Sequence, residues 1–152
     1  MSEQQPVFNI ERIYLKDLSL EIPNAPQIFS ERESPKIDLS LHNEARPLDD
    51  GSYEVVLTAT VTAKLKDKTA FLVEVAQAGI FQIRNIPQQE LDAVLGVTCG
   101  NILFPYLRES ISNTVARGGF PPVWLTHLSF EALYQQQRQQ QQQRQAGATP
   151  AT

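Results

Sequence analysis

Cysteine, histidine and long apolar runs are all scarce in this chain. Of its 152 residues only Cys99 is a cysteine, so no disulfide can form within one chain. A thiol between Thr98 and Gly100, near a helix start, has a route to a lowered pKa, but a buried and inert cysteine is the expectation. His42 and His127 are the only histidines. Neither has a Cys, His, Asp or Glu at metal-ligand spacing, so no zinc site and no cofactor are expected. No apolar run approaches the roughly 20 residues that span a bilayer, which points to a soluble protein without direct membrane insertion. The polar start Met1-Ser2-Glu3-Gln4-Gln5 lacks the charged-then-apolar layout of a secretory signal, and a cytoplasmic location is expected. Basic residues are outnumbered, 13 against 17 acidic, giving a net charge of -4 and a pI near 5.2. Nucleic acid is therefore not an expected partner. Neither a Gly-rich phosphate loop nor a Gly-x-Ser-x-Gly elbow occurs, so nucleotide and serine hydrolysis lack a local sign.

What is present is enough for one domain with a core, since 41% of the residues are hydrophobic. The clearest element runs from Asn101 to Pro122. Leu103, Leu107, Ile111 and Val115 recur four apart and make one helical stripe that must be buried. Gly118 and Gly119 permit the left-handed turn that closes the helix, and Pro121 and Pro122 cannot extend it.

Upstream the pattern is that of strands. Val7 to Ile22 alternates, with a slip near Arg12 and Ile13 that suggests a bulge. From Leu15 onward, Leu15, Asp17, Ser19 and Glu21 share one face, and Leu18, Leu20 and Ile22 the other. Pro23-Asn24-Ala25-Pro26 ends the strand. Lys36 to Leu41 is a second strand, and turn chemistry at Leu48 to Ser52 leads into the Val- and Thr-rich run Tyr53 to Leu65. A turn at Lys66 to Lys68 returns the chain into Thr69 to Ile83. Pro87 opens a short helix through Leu95, and Gly96 to Gly100 is expected to interrupt it before the main helix. Ser129 caps a last helix from Phe130.

That helix enters the tract Gln135 to Gln145, broken only by Arg138 and Arg144. It offers no apolar stripe, so fraying is expected, with Ala146 to Thr152 disordered. The resulting plan is α+β: a four-stranded antiparallel sheet, a main helix packed on one face and a second, C-terminal helix. Residues 1–6 form a disordered start, 7–134 the domain and 135–152 the tail.

Candidate surfaces follow from the alternation. Asp17 and Glu21 share a face but lie about 13 Å apart at roughly 3.3 Å per residue, too far to share a proton. With Leu72 and Glu74 facing outward on the fourth strand, they form a face suited to a basic, partly apolar partner, or a merely solvated one. Phe71, Val73, Val75 and Gln77 take the opposite face. Ile28, Phe29, Ile37, Leu39, Leu41, Leu128, Phe130 and Leu133 lie on the loop, the second strand and the last helix, outside the main helical stripe. They are candidates both for core packing and for an extended apolar binding surface. Trp124 is expected to anchor its segment.

Several segments in one order resemble the bacterial protein-export chaperone family SecB: Ile13-Tyr14-Leu15-Lys16-Asp17, Pro23-Asn24-Ala25-Pro26, Tyr53-Glu54-Val55-Val56-Leu57, Thr69 to Val75, Gly79-Ile80-Phe81 and Asn101 to Tyr106. The resemblance spans Phe8 to about Leu133. It implies a holding chaperone, working without ATP, that keeps unfolded secretory precursors competent for translocation and delivers them to the SecA motor ATPase at the inner membrane. It further implies that Asp17, Glu21, Leu72 and Glu74 bind the zinc-containing carboxyl-terminal segment of SecA. Val73, Val75 and Gln77 match positions that influence a homotetramer, a dimer of dimers. The eight loop, strand and helix residues above would contribute to a client groove. The glutamine tract is not part of the resemblance. Two other readings remain open: a small-ligand enzyme using Asp17, Glu21 or His127, and an adaptor with no client groove.

Overall fold

In the computed structural model, which describes residues 5–126 and 128–147, strands β1 (Val7–Glu21), β2 (Lys36–Pro47), β3 (Ser52–Leu65) and β4 (Lys68–Arg84) form one antiparallel sheet in the order β1-β4-β3-β2. The expectations for residues 1–4, His127 and 148–152 lie outside the described residues. The two longest apolar runs become β3 and β4 at the centre, because only the central strands are covered well enough to bury such sequences. β2 continues six residues beyond the expected end at Leu41, through a polar stretch whose partners on β3 run from Thr58 to Tyr53. Polar residues at a sheet edge give weak alternation, which hid this half of the strand.

Helix α1 (Gln88–Ala93) and helix α2 (Cys99–Arg117) are joined by a π-helical turn, Val94–Thr98. Gly96 to Gly100 is therefore a widened turn within a continuous helical path, which corrects the expected interruption. The two glycines serve packing. A Cβ on Gly96 would sit 2.9 Å from the Tyr134 ring, and one on Gly100 would sit 2.7 Å from the Phe130 ring. Asn43 on β2 donates its side-chain amide to Gly96 O at 3.0 Å and Leu95 O at 3.5 Å, tying the wide turn to the sheet.

The stripe Leu103, Leu107, Ile111 and Val115 is fully buried against β3 and β4, beside Val55, Leu57, Val61, Val73 and Val75. Gly79 admits this contact, since a Cβ there would lie 3.2 Å from Leu103 and 2.7 Å from Phe81. The helix ends as the sequence requires: Phe120 N–H donates to Val115 O, and Gly119 takes φ +90°. Cys99 is fully buried, and burial pushes its thiol up to about 12.

Helix α3 (Phe130–Gly147) is capped by Ser129, whose hydroxyl accepts from Ala132 N–H. It seats Phe130, Leu133 and Tyr134 over the wide turn, and every residue from Gln135 to Gly147 is exposed. The tract expected to fray is thus helical here. Once a packed first turn has nucleated a helix, each further glutamine adds a hydrogen bond at little propensity cost. Among the described residues no helix is long and apolar enough to cross a membrane.

Candidate binding faces

Register separates the two faces of the sheet. Strand pairing puts Asp17 opposite Ala76, Ser19 opposite Glu74 and Glu21 opposite Leu72, so Asp17, Glu21, Leu72 and Glu74 occupy one patch on the face away from α2. The three acids are exposed and, among the described residues, form no ion pair. Leu72 is half-buried between them. A patch of free carboxylates around an apolar centre attracts cations at a distance and offers them a dry contact on arrival.

Two bulges shape β1, one between Ile10 and Arg12 and another between Leu15 and Asp17. The first falls where the alternation slips. The second was hidden in the sequence, and it corrects one assignment: Leu15 pairs with Gln77 and so belongs with the helix-covered face, not with Asp17. Lys16 is the extra residue. Its ammonium reaches Glu54 on β3 at 2.9 and 3.1 Å, and Gln77 donates to Tyr14 O at 3.1 Å beside the bulge.

Glu54 was not picked out by sequence reasoning. It is 5% exposed, and its carboxylate also accepts from Tyr14 Oη and, at 2.9 Å, from Arg46 Nε. These bonds, the phenol's first, hold its carboxyl down to about 2 against the opposing effect of burial. Burial, reinforced by the bond to Glu54, pushes the Tyr14 phenol up to about 12. A lone acid inside the run Tyr53-Glu54-Val55-Val56-Leu57 was the available signal, although its partners come from β1 and β2, far away in sequence.

The helix-side face is covered unevenly. Val73, Val75 and Gln77 are buried beneath α2. Toward the sheet margins Leu15 is 49% and Leu18 41% exposed on β1, and Ile37 and Leu39 are each 39% exposed on β2. Ile37, Ala63 and Phe71 form one cross-strand row. Phe120 packs on Phe71 at 4.9 Å between centroids, and Phe29 packs on Phe120 at 5.1 Å, which brings the loop and the start of β2 to the same end. Leu41, Phe130 and Leu133 meet in a recess under α3. Ile28 and Phe130 are buried, at 3% each, and Leu128 is partly buried against the core. The eight apolar candidates therefore divide into a floor and an exposed rim. Trp124, expected to anchor its segment, is instead 68% exposed.

This sheet presents one acidic face and one partly covered apolar face, the layout of a protein that binds other polypeptides. Residues 1–141 match the family model described as preprotein translocase subunit SecB. The chain is 61% identical over 150 residues to the protein-export protein SecB of Methylobacillus flagellatus, covering 99% of this chain and 93% of the relative. It is 64% identical over 141 residues to that of Chromobacterium violaceum, covering 91% and 94%. The chain belongs to the SecB family. Its fold matches a SecB-like chaperone of Mycobacterium tuberculosis, solved in complex with an antitoxin peptide, with TM-score 0.67 at 20% identity over 80% of this chain and 91% of that one.

Proposed function

We propose that this protein is an ATP-independent holding chaperone of the cytoplasm that binds unfolded secretory precursors and hands them to SecA. The observation that carries this reading is the uncovered apolar rim: Phe29, Ile37, Leu39 and Trp124 stay between 39% and 68% exposed on a molecule with a complete core. Such side chains are costly to leave in water and are well suited to flexible chains that spread many weak contacts over a long surface. Burial at about 25 cal/mol per Å² supplies affinity without a sequence motif. A folded client hides the same groups from the rim.

Asp17, Glu21, Leu72 and Glu74 are the proposed seat of the zinc-bearing segment of SecA. That seat lies on the sheet face opposite the rim, so client and motor bind at once and their effective concentration rises. Self-association is proposed through β1, an edge strand whose Leu15 and Leu18 remain exposed, giving a dimer that pairs again across the α2 layer. Val73, Val75 and Gln77 would act there indirectly, by supporting α2 from beneath. Residues 7–134 carry these surfaces.

Calorimetric titration with one precursor, both unfolded and folded and without nucleotide, tests the reading. Binding of the unfolded form alone, with a negative heat-capacity change, is expected. Failure to bind either form removes the client surface. Charge reversal at Asp17 and Glu21 should weaken SecA binding and leave client holding intact, and joint loss of both activities would refute the division into two faces.

A further inference from the structure

The buried acid on the outer face has no role in the docking reading as it stands, and its position gives it one. Glu54 is 5% exposed and engages two cations whose own side chains are well exposed, Lys16 at 42% and Arg46 at 65%. A recess of about 380 Å³ crosses this part of the sheet, floored by Val56 and Ala76, with Lys16 and Asp17 on one side and Glu44 and Arg46 on the other. The bulge in β1 is what allows neighbouring Lys16 and Asp17 to line the same recess. Ala76 and Ala78, opposite Asp17 and Tyr14 on β4, keep the path from β1 to Glu54 open.

Each wall thus offers an acid next to a base. If the four exposed groups simply paired, Lys16 with Asp17 and Arg46 with Glu44, the recess would be neutral and closed to a charged visitor. Glu54 prevents that. It takes Lys16 Nζ at 2.9 Å and Arg46 Nε at 2.9 Å, while Asp17 has no ion partner among the described residues and Glu44 meets only the exposed His42, at 4.0 Å.

We propose that Glu54 is a positioning residue for docking: it sequesters Lys16 and Arg46 so that Asp17 and Glu44 stay free to receive basic side chains of the bound segment. This rests on the docking reading above and adds Glu44 to the patch. The chemistry is charge accounting within one recess, two cations against three carboxylates, leaving one net negative charge. Without Glu54 the sum is zero and the two bases are released toward the two acids. The Tyr14 phenol, bonded to the same carboxylate, fixes the acid in place and leaves its charge unchanged.

The test is calorimetric titration of the zinc-loaded carboxyl-terminal segment of SecA, as a synthetic peptide, into the intact protein and three variants. Glu54→Gln keeps the shape and removes the charge, and segment affinity should fall about fivefold, the scale of a partly exposed ion pair. Adding Lys16→Gln and Arg46→Gln to that variant should restore affinity, which a merely structural role for Glu54 does not predict. Arg46→Gln alone, at a position 65% exposed, should tighten binding about twofold, because Glu54 then has charge to spare. Unfolded-client binding, on the opposite face, should stay unchanged throughout. Unaltered affinity in Glu54→Gln, absence of rescue in the triple variant, or weaker binding in Arg46→Gln overturns the inference alone. No binding of the segment to the unsubstituted protein overturns the docking reading and this inference with it.

Discussion

Placing a methyl group on Gly100 should separate the fate of α3 from that of the rest of the molecule. A Cβ at this position lies 2.7, 3.0 and 3.2 Å from three carbons of the Phe130 ring. Ordinary contact needs close to 3.5–4.0 Å, so the ring must retreat by about 1 Å. It has little room, being 3% exposed and packed edge-on against Phe104 at 5.6 Å between centroids. Losing the seat forfeits about 1.5–3 kcal/mol of apolar burial and about 0.5–1.5 kcal/mol of ring contact. Leu133 and Tyr134 alone would then hold α3. Within α2, however, exchanging glycine for alanine favours the helix by about 1 kcal/mol. The two effects act on different elements. Gly100→Ala should therefore release α3, with faster amide exchange from Ala132 to Gln137, while the urea midpoint of the sheet and α2 stays level or rises slightly. Hydrogen exchange read by mass spectrometry, alongside urea unfolding followed by circular dichroism, measures both. Unchanged exchange in α3 would refute the seating argument, and a fall of several kcal/mol in global stability would show that α3 belongs to the main cooperative unit.

Three further outcomes follow from the core and the outer face. Glu54, held from 4.5 to about 2 in the folded state, contributes on the order of 3 kcal/mol at neutral pH. A depressed carboxyl stabilises above its unfolded pKa, so the excess stability of wild type over Glu54→Gln should be constant above pH 4.5 and vanish as pH falls toward 2, read from urea midpoints. Leu107→Ala removes a fully buried side chain at the centre of the stripe and should cost about 2–5 kcal/mol in urea unfolding. The Cys99 thiol, 0% exposed and pushed up to about 12, should react with a thiol reagent only at the rate of unfolding, while reaction on mixing would contradict its burial.

The sequence exposed whatever depends on local periodicity. The α2 stripe and the strands β3 and β4 each repeat one apolar signal over many residues, and the cap at Gly119 is marked locally by two glycines followed by Pro121 and Pro122. The shared face of Asp17, Glu21, Leu72 and Glu74 was legible for the same reason, since alternation fixes facing once a strand is located. Three features needed distances in space. The bulge at Lys16 leaves no mark in a sequence where Leu15 and Asp17 continue the apparent alternation. Gly96 and Gly100 look like helix breakers until the rings of Tyr134 and Phe130, far later in the chain, are seen resting on them. Glu54 looks like an ordinary exposed strand residue until Tyr14, Lys16 and Arg46 converge on it.

Helix α3 packs on the wide turn of the body through Phe130, Leu133 and Tyr134, and this makes it a lever. The exposed stretch Gln135–Gly147, at about 1.5 Å per residue, reaches roughly 20 Å beyond the fulcrum formed by Gly96 and Gly100. A tilt of about 10° at that fulcrum displaces the far end by about 3 Å, a movement larger than the shift at the Phe130 ring that would start it. The contact between one aromatic ring and one glycine therefore sets the aim of the whole arm.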